Sequence, residues 1–205
     1  MFPEYFAPIE TVIAAILAVL LAHKYIQSRK KYHLVWMAAL IFWSALELGI
    51  FLHFVHGSTP ITEKIVSILV IPITALYAVG MLFLLQGLFR RPWAKYFLVY
   101  TLVVYGASVG AIFATTVRQE LVMSSSFALL IAPGFIVAVS SSIHSYFLGG
   151  KRNLLIAIGL LVSVITDLLW DIGGLPVWTL DTVSETLAGV GFLIAVEPPS
   201  QKANE

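Results

Sequence analysis

The 205-residue chain is 60% hydrophobic and 11% charged, with a net charge of +1 and a mean hydropathy of +0.95. A soluble domain averages roughly 25% charged residues, so too little polar surface remains here to keep the chain in water, and lipid must wet its outside. The balanced charge excludes a basic field for nucleic acid. The absence of cysteine excludes disulfides, thiolate metal sites, thiol nucleophiles and cysteine-held iron–sulfur clusters.

Crossing the hydrocarbon core takes about 20 apolar residues in a helix. Such stretches predict seven spans, at roughly 5–26, 33–56, 63–89, 92–117, 124–149, 152–173 and 176–196, with ends good to about four residues. Met1–Glu10 holds no Lys or Arg and carries Glu4 and Glu10, so the first stretch is expected to stay as a spanning helix and not act as a signal peptide. The second carries Trp36, Trp43, Glu47, His53 and His56. The third carries Ser67, Pro72 and Tyr77. The fourth has Tyr100, Tyr105 and a G-x-x-x-G at Gly106 and Gly110, which permits close helix approach. The fifth has Pro133, expected with Pro72 to kink its helix, and His144 among Ser140, Ser141 and Ser145. The sixth holds Ser163, Asp167 and Asp171, and the seventh Asp181, Glu185 and Gly189. Backbone groups in lipid must be satisfied internally, and the alternating pattern of a barrel is absent. The expected fold is therefore all-α: a polytopic membrane bundle forming one domain over residues 1–205, with short connections between antiparallel neighbours.

The cations orient it. Lys24, Arg29, Lys30, Lys31, Arg90, Arg91, Lys95, Lys151, Arg152 and Lys202 fall on one side, and only Lys64 and Arg118 on the other. Ten against two predicts an N-terminus outside and a C-terminus in the cytoplasm, in a multi-pass protein of the cell membrane. Trp36, Trp93, Tyr96, Trp170 and Trp178 are expected at the two interfaces as an aromatic belt.

The chemistry lies in acids at membrane depth. Counting inward at about 1.5 Å per residue, Asp171 and Asp181 lie near the outer interface, Asp167 roughly 10 Å in, and Glu47 and Glu185 near the midplane. Asp167 and Asp171 are four apart, as are Asp181 and Glu185, so two consecutive helices each present a pair of carboxylates on one face. The sequence places no Lys or Arg deep in any span. A carboxylate there must carry or share a proton, line a wet cavity or meet a bound cation. Glu47, Asp167, Asp171, Asp181 and Glu185 are the candidate ligand- or proton-binding set, and His53 and His56 the candidate metal ligands.

Seven spans with very short loops and an N-terminus outside resemble the microbial rhodopsins. In the segment Leu180-Asp181-Thr182-Val183-Ser184-Glu185, Leu-Asp is followed, after three intervening residues, by the position of the rhodopsins' retinal-binding lysine. Glu185 occupies that position here, so the resemblance implies the architecture and excludes covalent retinal. The carboxylates that rhodopsin pumps carry on the third helix are also absent. The chain likewise resembles uncharacterised seven-span prokaryotic proteins.

These readings favour a protein that binds, senses or translocates a proton, cation or small ligand in an acidic cavity leaning outward among helices two, six and seven. The alternatives are a structural or accessory subunit of a membrane complex and a membrane-embedded metal-dependent hydrolase. An enzyme is disfavoured because no H-E-x-x-H or paired-histidine zinc signature occurs. A haem held by His56 and His144 would need ligands from opposite membrane faces. No cofactor is expected. The expected partners are membrane lipid, a second copy or a membrane-complex subunit, and not nucleic acid. Because the chain has no cysteine, single cysteines test the topology directly. Those placed near Ser58, Arg118 or Gly174 should react with an impermeant reagent on intact cells, whereas labelling near Lys30, Arg91 or Lys151 contradicts the orientation.

Overall fold

The computed structural model describes residues 3–57, 59–85, 92–114, 119–169 and 174–198. Helix α1 is Pro3–Ser28, α2 Lys31–His56, α3 Pro60–Leu84 and α4 Pro92–Phe113. Helix α5 begins as Gln119–Ser126, passes through a π turn at Phe127–Ile131 and continues as Ala132–Phe147. A 3-10 turn at Lys151–Asn153 leads into α6, Leu154–Leu168, and α7 is Gly174–Ile194. Among the described residues, five segments are long and apolar enough to cross a membrane: Tyr5–Ser28, Lys31–His56, Pro60–Leu84, Lys95–Phe113 and Val122–Phe147. An all-helical bundle of this kind fits an integral membrane protein.

Six helices close a ring in the order α1, α2, α3, α5, α6, α7 and back to α1, while α4 packs outside it against α3 and α5. Aromatic residues fill the ring towards the end where α1 finishes and α2 begins. Trp36 is fully buried, stacks on Phe192 at 4.7 Å between centroids and donates from Nε1 to the Tyr77 carbonyl at 3.3 Å. Tyr77 lies 4.9 Å from the Phe192 ring. Trp36 therefore belongs to the core and not to an interfacial belt. A large ring fits there because Gly80 faces it: a Cβ at that position would sit 2.0 Å from Trp36 Nε1. Tyr96, 72% exposed, does suit an interface.

Glycine also sets the helix spacing, but not where the G-x-x-x-G suggests. Among the described residues, nothing lies within 4 Å of a Cβ built on Gly106 or Gly110. The close approaches are at Gly134, where a Cβ would meet the Ala75 backbone nitrogen at 2.8 Å, and at Gly159, where it would meet Ala188 N at 2.6 Å and Ser184 O at 2.7 Å. Only a residue without Cβ allows α5 onto α3 and α6 onto α7 at these distances.

Pro133 is accommodated by the π turn just before it. A proline removes the donor that would serve the carbonyl four residues earlier, here Leu129. Tyr100 Oη on α4 donates to that carbonyl, which ties the peripheral helix to the ring. Near the other end of α5, fully buried Asn153 clamps the chain beyond α7: Nδ2 donates to Val196 O at 2.8 Å, and Oδ1 accepts from Val196 N at 3.0 Å. Lys30 pairs with Glu197 at 2.8 Å and Lys24 Nζ donates to Leu193 O, so the end of the chain described is held to the α1–α2 turn.

Overpacking a close helix contact is destabilising by about 1–3 kcal/mol. Gly159→Val should lower the thermal unfolding temperature in detergent accordingly, while Gly110→Val leaves it unchanged. Equal effects at both positions contradict the packing described.

Candidate functional site

The site is assembled at the end of the ring where α1 and α7 begin and α2 finishes. At about 1.5 Å per residue, Glu10 on α1 and Asp181 on α7 lie roughly 10 Å from that end, Glu47 on α2 roughly 14 Å and Glu185 on α7 roughly 16 Å. The four acids therefore share one stratum. Glu10, Asp181 and Glu185 each place a carboxylate oxygen within 4.8 Å of the others. Glu47 and Glu10 are joined by a side-chain hydrogen bond, and Asp181 lies within electrostatic reach of Glu47. Glu10, Asp181 and Glu47 are buried at 3%, 4% and 8% exposure, and Glu185 is half-buried.

Helix periodicity explains how α7 contributes twice. Asp181 and Glu185 are four residues apart and so lie one above the other on the inner face. Gly189, one turn further, accepts Leu17 of α1, whose Cδ1 would lie 2.5 Å from a Cβ there. That contact draws α1 onto α7 and carries Glu10, two turns earlier, to the acids. Gly159 does the same for α6, two turns before Thr166.

Two threonines complete the cluster. Thr182 Oγ1 bonds Glu10 Oε1 and also lies 3.1 Å from the Trp178 carbonyl of its own helix. Thr166 Oγ1 lies 2.6 Å from Asp181 Oδ1 and 2.7 Å from its own-helix Ser163 carbonyl. Helical threonines habitually donate to such carbonyls. A hydroxyl has one proton to give. Each threonine can give its one proton to the acid it faces, whereas a hydrogen bond between two carboxyl groups, as between Glu10 and Glu47, needs a proton on one of them. The Glu10–Glu47 contact therefore calls for a proton from one of the two acids.

Of the acids read from the sequence, the structure brings together Glu47, Asp181 and Glu185. Asp167 lies in the last turn of α6, with its side chain outside the described residues, and Asp171 lies outside them altogether. Asp181 is a buried member of the cluster. Glu10 completes the set. Its signal was present, an acid two turns inside an otherwise apolar span, but a single helix offers no second acid at four-residue spacing. His53 is half-buried with its ring edge-on to Phe54, and His56 is exposed. Among the described residues, the metal-capable groupings of three or more comprise Glu10, Asp181 and Glu185 and include neither histidine.

Compared with known protein families, curated proteins and solved structures, the chain matches none.

Leaving a buried acceptor without its donor destabilises by about 1–3 kcal/mol, whereas replacing both partners by apolar groups is close to neutral. Thr166→Val should therefore lower stability by roughly that amount, and Thr166→Val with Asp181→Leu should recover most of it. Additive losses in thermal unfolding contradict the Thr166–Asp181 contact.

Proposed function

We propose that this chain is a seven-span protein of the cell membrane that binds protons at Glu10, Glu47, Asp181 and Glu185, and that the site takes them up from the outside. The observation carrying this reading is the convergence of four acids from three helices, two of which, Glu10 and Glu47, are joined by a hydrogen bond that needs a proton on one of them. In the sequence, no Lys or Arg stands at that depth in any span. Ionised together, the acids would repel one another in surroundings too dry to screen them. A proton held between carboxyl groups relieves the repulsion and supplies the donor that the Glu10–Glu47 hydrogen bond needs. A cation held by Glu10, Asp181 and Glu185 would relieve only the repulsion, which is why the proton is favoured.

The site's position supports access from one side. The acids lie about 10–16 Å from the end where α1 starts. Towards the opposite end the ring is filled by Trp36, Phe192, Tyr77, Leu40 and Met81, the first two and the last two fully buried. A layer of this kind separates the acids from the basic end and favours sensing or one-sided binding over conduction. The cation asymmetry of the loops assigns the acid end to the outside.

A second reading has an observation of its own. Helix α4 lies outside the ring, and among the described residues nothing comes within 4 Å of the Cβ positions of Gly106 and Gly110. A small-residue face left open to lipid suits helix–helix assembly, as in an accessory subunit of a membrane complex.

Trp43, buried one turn from Glu47, provides the readout. In oriented proteoliposomes, acidification on the N-terminal side should change its fluorescence, and acidification on the other side should not. Trp43→Phe should abolish the signal, and Glu10→Gln or Glu47→Gln should at least halve it. A response from both sides, or an undiminished response in both glutamine variants, contradicts the proposal.

A further inference from the structure

On the outer surface of the ring, α1 and α2 leave a groove of about 450 Å³. Ala15, Ala18, Ala22, Met37, Ala45 and Leu48 line it, with side chains too short on the α1 side to close the gap. Its walls include exposed Val19, Ile41 and Leu48, so it opens sideways. Both helices are long and apolar enough to cross a membrane, so the groove faces hydrocarbon and an apolar chain has to fill it.

The dimensions identify the filling. From Met37 to Leu48 the groove follows α2 for about 16 Å. Spread over that length, its volume gives a cross-section on the order of 30 Å². One extended hydrocarbon chain fits this section.

The chemistry at the mouth identifies the head. Towards the α1–α2 turn the stripe Ala15, Ala18, Ala22 continues through Ile26, 63% exposed, and on α2 through Leu34, 41% exposed, to Arg29. Arg29 is exposed and adopts φ 55°, and its N–H closes on the Tyr25 carbonyl at 2.7 Å. That is the helix-ending position glycine normally takes, and a side chain there is strained. Lys30 is engaged by Glu197 and Lys24 by Leu193 O. Among the described residues, Arg29 and Lys31 form no ion pair, and both are exposed. A planar guanidinium with a second cation two residues on suits a phosphodiester.

We infer that the α1–α2 groove holds an acyl chain of an anionic phospholipid whose phosphate rests on Arg29 and Lys31. The inference rests on α1 and α2 crossing the bilayer and is independent of the carboxyl cluster. The full chain, purified in detergent and equilibrated with an equimolar mixture of phosphatidylglycerol and phosphatidylcholine, is examined by native mass spectrometry. The wild type should retain one lipid per chain, with phosphatidylglycerol favoured about tenfold. Arg29→Gly suits the backbone, so it should fold at least as well while its preference falls to near twofold or below. Ala22→Leu, and more completely Ala22→Phe, should occupy the groove and lose the retained lipid of either class. A preference unchanged in Arg29→Gly, a lipid retained in Ala22→Phe, or a dimer in place of bound lipid overturns the inference. Val19→Cys separates the two premises. If it reacts with an impermeant reagent in vesicles, α1 is not in the bilayer and the membrane reading fails as well. If it is protected while no lipid is retained, only the groove assignment fails.

Discussion

A carboxyl group in an apolar bundle needs either a proton or a counter-charge, and here four of them meet in one stratum. That requirement organises the end of the bundle where α1 begins. The acids come from α1, α2 and α7, so the site exists only if those helices stand at close and fixed spacing. Glycine supplies the spacing: Gly189 takes the Leu17 side chain, and Gly159 lets α6 reach the α7 backbone at Ser184 and Ala188. Thr182 and Thr166 then fall beside Glu10 and Asp181. Sequence, packing and chemistry are linked through a few positions where a methyl group would not fit.

The opposite end is built for the reverse purpose. The Asn153 side chain grips Val196 through both its amide atoms, and Lys30 and Glu197 pair beside it. Above them lie Trp36 and Phe192, with Gly80 making the room. Aromatic side chains fill the interior at this end. A bundle with acids gathered at one end and aromatic rings packed into the other suits a site addressed from a single side.

The helices were legible because length and hydropathy are properties of consecutive residues. Connections such as the two-residue Arg29–Lys30 turn were marked by charge. Glu47, Asp181 and Glu185 stood out because ionisable residues are rare in apolar spans. What escaped is what depends on partners distant in sequence. Trp36 has the flanking position of a belt residue, and only Gly80 and Phe192 make it core. Gly106 and Gly110 carry the familiar spacing, yet Gly134 and Gly159 make the close contacts, and neither has a second glycine four residues away. Glu10 had no acidic companion on its own helix. Pro133 announced a disturbance in α5, but not that a π turn would absorb it or that Tyr100 would answer the Leu129 carbonyl.

The central claim is that the acids share protons in the resting protein. Infrared difference spectroscopy of the carboxyl C=O stretch, at neutral pH in lipid, reads this without reference to any activity. The wild type should show a protonated-carboxyl band that shifts in deuterium oxide, weakens in Glu47→Gln and disappears in Glu10→Gln with Glu47→Gln, each variant remaining folded. A wild type with no such band, or a band of full strength in the double variant, would mean that Glu10 and Glu47 are ionised or that the proton lies elsewhere.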